Sequence, residues 1–97
     1  MTRPLRWTEQ ATSQLAAIAE YISVSSPVYA EQVVERVTRR LEQAQRFPES
    51  GRTVPEYEHP DVRELVEPPY RLIYRVRPDA IEVLSILHGR RPLRDDW

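Results

Sequence analysis

The chain has 97 residues, a length that suits one compact domain, and no cysteine, which removes disulfides and thiolate metal sites. All 14 of its basic residues are arginine, and 15 acids balance them to a net charge of −1. A protein that grips nucleic acid alone carries a basic excess, so any such contact here must rest on a local patch. No apolar run approaches the roughly 18 residues of a membrane span. The opening stretch from Met1 to Trp7 has no apolar leader, so the expected compartment is the cytoplasm. A domain this small lies near the lower limit for a self-sufficient core, and a bound partner would add stability.

In chain order, residues 3–7 read as a short strand. Thr8 stands at a helix N-cap with Glu9 in the first turn. Ala11, Leu15, Ile18 and Ile22 follow at helical spacing, which predicts a helix over 8–23. Ser26 caps a second helix with Pro27 at its first position. Ala30, Val33, Val34, Val37, Leu41 and Ala44 continue the apolar stripe, and the helix should end near Arg46, ahead of Pro48. The short link predicts an antiparallel helix hairpin. Residues 47–61 hold Pro48, Gly51, Pro55 and Pro60 and read as a connecting loop.

Three strands are predicted after it: 62–66, closed by Pro68-Pro69, then 70–76, then 81–87 across an Arg77-Pro78-Asp79-Ala80 turn. Pairing Val76 with Ile81 sorts the side chains by a period of two. One face takes Tyr70, Leu72, Tyr74, Val76, Ile81, Val83, Ser85 and Leu87 and should pack on the helices. The other takes Arg71, Ile73, Arg75, Glu82, Leu84, Ile86 and His88. The same register sets Arg75 opposite Glu82 as an ion pair, and Arg71 opposite Ile86. Glu64 is a further candidate partner for Arg71. The order is β-α-α-β-β-β, an α+β domain over residues 1–97, with a helix hairpin on one face of an antiparallel sheet.

Several segments in this order resemble the RelE/ParE superfamily of toxins from bacterial type II toxin–antitoxin systems. They are Trp7 with Ala11, Leu15, Ile18 and Tyr21-Ile22; Ser26-Pro27 with Ala30; and Leu41, Pro48 and Gly51-Arg52. Val54-Pro55-Glu56 and Arg63-Glu64 continue the match. Tyr70-Arg71-Leu72-Ile73-Tyr74-Arg75-Val76 is its most specific piece, and Ile86-Leu87-His88-Gly89-Arg90-Arg91 completes it. The resemblance implies a toxin neutralised by a cognate antitoxin, with operator DNA reached only through that antitoxin. It implies one of two targets. ParE-like members inhibit DNA gyrase, and RelE-like members cleave messenger RNA on the ribosome.

Cleavage beside a 2′-hydroxyl takes a base, an acid and cations for the charged phosphorane. The resemblance puts Arg71 on a family catalytic arginine. Were the chain a nuclease, His88, Arg90 and Arg91 would complete the set, since a histidine titrates near neutrality. Arg63, Arg75, His88, Arg90 and Arg91 are also candidates for contact with a target. Against cleavage, Val62 and Glu64 stand where those nucleases place lysines, and no Tyr follows His88. These departures favour gyrase inhibition without catalysis. Gly89-Arg90-Arg91 also occurs in RelE-like relatives and keeps the endoribonuclease as the alternative. A non-toxic relative that only binds its antitoxin is the third reading.

The mixed sheet face suggests an antitoxin site, with Ile73, Leu84 and Ile86 as apolar anchors beside Arg71. No metal or cofactor is expected, because two distant histidines without cysteine make a poor ligand set. No membrane partner is expected.

Overall fold

The computed structural model describes residues 2–89. Its elements are β1 (Leu5–Trp7), α1 (Glu9–Ser23), α2 (Pro27–Arg46), β2 (Arg52–Thr53), β3 (Val62–Glu67), β4 (Tyr70–Val76) and β5 (Ile81–His88). The α+β order expected from the sequence stands, with one addition: the two-residue β2, inside the predicted loop. The five strands form one sheet in the order β1-β5-β4-β3-β2. Its neighbours are antiparallel except β1, which pairs parallel with β5. The antiparallel sheet expected from the sequence thus carries one parallel pair, at its β1 edge. The helix hairpin carries the chain across the sheet, and a crossover of that length permits parallel pairing.

Both helix starts are fixed by the predicted caps. The Thr8 hydroxyl accepts from Ala11 N at 3.1 Å and donates to Val83 O at 2.9 Å, so one side chain caps α1 and ties it to β5. The Ser26 hydroxyl accepts from Tyr29 N at 3.1 Å, and Pro27 opens α2. The apolar stripe of α2 buries Val33, Val37, Leu41 and Ala44 against Leu72, Tyr74, Ile81, Val83 and Ile86. Leu15, Ile18 and Ile22 of α1 pack on that cluster while remaining partly exposed. Each such aliphatic side chain, fully buried, contributes about 1.5–3 kcal/mol before conformational entropy is set against it. No described helix is long and apolar enough to cross a membrane.

The other face of the sheet is also covered. Val54 and Tyr57, from the segment between β2 and β3, sit over Val62, Ile73, Leu84 and Leu87 as a second apolar cluster. A strand buried on both sides needs no alternation, which accounts for the nearly unbroken apolar run of β5.

The register between β4 and β5 begins as expected, with Val76 opposite Ile81 and Arg75 opposite Glu82. It shifts between Ile73 and Tyr74: Tyr74 faces Val83, and Ile73 faces Ser85. Leu84 is the extra residue of a β-bulge. Beyond it the predicted faces exchange. Ile86 joins the helix-side core and Leu87 joins the second cluster. Arg71 lies opposite Leu87 rather than Ile86, and His88 lies opposite Tyr70. The physical reason is that a bulge inverts the parity of every residue after it.

Gly51, just before β2, shows why that position is glycine. A Cβ there would lie 2.5 Å from the Tyr74 hydroxyl and 2.6 Å from the Glu64 carbonyl oxygen. Its N–H instead donates to the Tyr74 hydroxyl at 3.0 Å, and that hydroxyl donates to Pro48 O at 2.8 Å. Burial holds the Tyr74 phenol above its ordinary pKa.

Candidate partner-binding groove and the Arg71 ion cluster

Arg71 is 9% exposed on the second sheet face. Its Nε donates to Glu64 Oε2 at 2.7 Å, and its two terminal nitrogens grip Glu56 at 2.7 and 2.9 Å. The second Glu64 oxygen accepts from Arg52 Nε. The result is a chain of alternating charge, Arg52–Glu64–Arg71–Glu56, whose Glu64 side chain is fully buried. The hydrogen bonds that Arg71 donates to Glu56, and then the one to Glu64, hold the guanidinium pKa above the ordinary arginine value, against the opposing effect of burial. A bidentate fork is the strongest geometry available to arginine, and here a carboxylate of the same chain fills it. The cluster also latches the segment carrying Val54, Glu56 and Tyr57 onto the sheet. The expected partnership of Arg71 with Glu64 is present; Glu56 is a second partner that only the folded loop reveals.

The remaining candidates do not gather around Arg71. His88 is exposed and, one residue beyond Leu87, lies on the helix side, edge-on to the Tyr70 ring at 6.1 Å. It and Arg71 therefore diverge to opposite faces, which corrects their expected shared face. Ile73 and Leu84 are sealed beneath Val54 and Tyr57, while Ile86 is buried on the helix side. The three proposed antitoxin anchors are thus core residues, and the bulge has separated Ile86 from the other two. Arg75 lies opposite Glu82 but does not pair with it; Arg77 takes that carboxylate at 3.5 Å. The Arg75 Nε is buried with no hydrogen-bond partner among the described residues. Arg63 donates to the carbonyl oxygens of Glu49 and Gly51 at 3.3 and 2.8 Å. Arg90 and Arg91 lie outside the described residues. Among those residues, no group of acids and histidines is placed to hold a metal.

A surface that the sequence reading missed lies between α1 and the end of the sheet. A cavity of about 540 Å³ is lined by Ile18, Tyr21, Ile22, Tyr70, Ile86 and His88, with further α1 side chains at its rim. Tyr21 is 84% exposed, and Val24, Val28 and Tyr29 extend the apolar surface around the hairpin tip. Beside it, β5 has an open edge, because β1 pairs only as far as Val83. Side chains of α1 serve that edge: Gln14 Oε1 accepts from Ile86 N at 2.8 Å, and Gln10 Nε2 donates to Ser85 Oγ at 2.7 Å. Desolvation by burial raises the pKa of Tyr70 on the groove wall, and nearby Tyr29 adds to it. One sequence signal was available. Tyr21 is apolar yet out of phase with the Ala11-Leu15-Ile18-Ile22 stripe, and a large aromatic off the buried face has a reason to be sought.

Comparison with known proteins bears on these features together. Residues 5–93 match the family model described as the ParE toxin of type II toxin–antitoxin systems, parDE. The toxin RelE2 of Caulobacter vibrioides is 33% identical over 86 residues, covering 88% of this chain and 93% of that one. A chain from the chromosomal ParDE system of P. aeruginosa superposes with a TM-score of 0.73 at 29% identity. That superposition covers 90% of this chain and 96% of the other. The chain therefore belongs to the ParE toxin family and is the toxin of a type II toxin–antitoxin pair, with a cognate antitoxin as its partner.

Proposed function

We propose that this toxin works in the cytoplasm as a non-catalytic inhibitor of DNA gyrase, as ParE-like toxins do. The observation that carries the reading is the divergence of Arg71 and His88. A nuclease needs its cation and its proton carrier around one phosphate. Here Arg71 is filled by Glu56 and Glu64 on one face, and His88 stands with Tyr70 on the other. An inhibitor that acts by binding needs no such convergence.

The antitoxin belongs, in this reading, in the groove of Ile18, Tyr21, Tyr70 and Ile86, not on the covered face of Ile73 and Leu84. An amphipathic segment laid there buries the exposed Tyr21 ring and the open edge of β5.

The test is induction of the toxin alone, followed by supercoiling by purified gyrase and cleavage of messenger RNA during translation. Loss of supercoiling without cleavage is expected. Cleavage that disappears in Arg71→Ala would replace this reading with the endoribonuclease, the branch to which the relative's RelE2 name points. Undisturbed growth, with gyrase unaffected, would leave a chain that only binds its antitoxin.

A further inference from the structure

Seven described arginines have a carboxylate within salt-bridge distance: Arg6, Arg36, Arg39, Arg40, Arg52, Arg71 and Arg77. The others, Arg3, Arg46, Arg63 and Arg75, have none among the described residues, and all four fall at one end of the molecule. Arg3 and Arg46 line one cavity of about 520 Å³, where α2 ends and the chain enters β1. Arg63 donates to the carbonyl of Glu49, whose residue lines the same cavity. Arg75, the strand neighbour of Val76 in its wall, projects to the opposite face of the sheet and takes no part in the cavity. At the rim stands Phe47, the single phenylalanine of the chain, 63% exposed.

We propose that this end is a docking site for an acidic protein segment that carries an apolar anchor. Arg46 has a local use, since a cation in the last turn offsets the negative end of the helix dipole. That use leaves its guanidinium exposed and without a carboxylate. Arg3 makes only a long bond, 3.4 Å, to the Pro78 carbonyl. Two open guanidinium forks beside an exposed ring offer carboxylates a bidentate partner and an apolar side chain a flat surface, the pairing found at protein interfaces.

The surroundings favour a protein segment over nucleic acid. A phosphate backbone calls for a continuing row of open cations. Further along α2, however, Arg36 and Arg40 are held by Glu67 and Arg39 by Glu35.

The site is also distinct from the groove described above. Tyr70 lines the groove and Val76 the cavity, at opposite ends of β4, about 20 Å apart at roughly 3.3 Å per strand residue. A partner at the α2 end leaves the groove free.

The experiment titrates a fluorescein-labelled ten-residue peptide of alternating Asp and Glu, with a central Leu-Phe pair, into the full-length toxin and reads anisotropy. Arg46→Glu should weaken binding at least tenfold and Phe47→Ala several-fold. Arg39→Glu, on the paired flank of α2, should leave it unchanged. Added salt should weaken it. Arg3→Glu repeats the charge test should Arg46→Glu alter the circular dichroism spectrum. No binding at millimolar peptide, or equal binding by all the variants, would overturn the proposal. So would tight, steeply salt-dependent binding of a labelled 20-base-pair duplex in place of the peptide, which would make the surface a nucleic-acid contact.

Discussion

Arg71→Met removes the centre of the ion cluster and keeps an unbranched side chain of similar length. The consequences for its two partners differ. Glu56 is about one-third exposed and can turn to solvent, so its part in the loss is small. Glu64 cannot, because its side chain is fully buried between β2 and β4. It would keep a single partner, Arg52, which is itself 65% exposed. Breaking a buried ion pair from one side typically destabilises by about 3–5 kcal/mol. The surviving Arg52 contact puts the expected loss at the lower end, about 3 kcal/mol. For a domain of this size that is a fall in Tm of about 12–24 °C.

The assay is urea unfolding at pH 7, followed by tryptophan fluorescence, for the wild type, Arg71→Met, Glu64→Met and the double variant. An apolar replacement of both partners leaves no stranded charge, so the double variant should regain most of the lost stability. The reasoning is refuted if Arg71→Met loses less than about 1 kcal/mol, as a solvent-screened pair would. It is also refuted if the two single losses simply add in the double variant.

Gly51→Ala should destabilise by about 1–3 kcal/mol in thermal unfolding, because the added methyl meets the Tyr74 hydroxyl and the Glu64 carbonyl inside contact distance. Tyr74→Phe tests the alkaline limb. A phenol whose pKa is raised by folding contributes stability that is whole below its unfolded value and lost as pH rises through the folded one. Wild-type stability should therefore fall above about pH 10, and the variant should show a shallower alkaline fall in denaturant melts. Tyr21→Ala and Ile86→Ala separate groove from core. The first should weaken antitoxin binding at least tenfold in calorimetry with little change in Tm. The second should destabilise the fold by about 2–5 kcal/mol, and a stable Ile86→Ala would contradict its place in the core.

The sequence carried the parts of this fold that depend on near neighbours. Thr8 and Ser26 act as caps where a hydroxyl precedes a helical stripe, and Pro27 opens α2 as its fixed backbone geometry requires. The β4–β5 turn and its first three pairs also followed from local spacing. What was not legible came from the run Val83-Leu84-Ser85-Ile86-Leu87. With apolar residues at both parities, either assignment gives an apolar face, and nothing in it announces that Leu84 is the extra residue. That single bulge changed the reading of the site more than any other feature. It carried Ile86 and His88 to the helix side and left Arg71 behind.

The loop at 47–61 was opaque for a related reason. Its prolines and scarce apolar residues describe a connector, and Val54, Glu56 and Tyr57 acquire a purpose only when the uncovered sheet face is known. Glu56 then reaches the one sheet arginine that a nuclease of this superfamily would need free. On the proposed reading, two features together keep a catalytic set from forming here, a one-residue bulge and a carboxylate delivered from a loop. Reversing either one alone would not assemble it. Releasing the terminal nitrogens of Arg71 by Glu56→Gln leaves its Nε on Glu64 and His88 on the far side of the sheet, so that variant should gain no cleavage of translated messenger RNA.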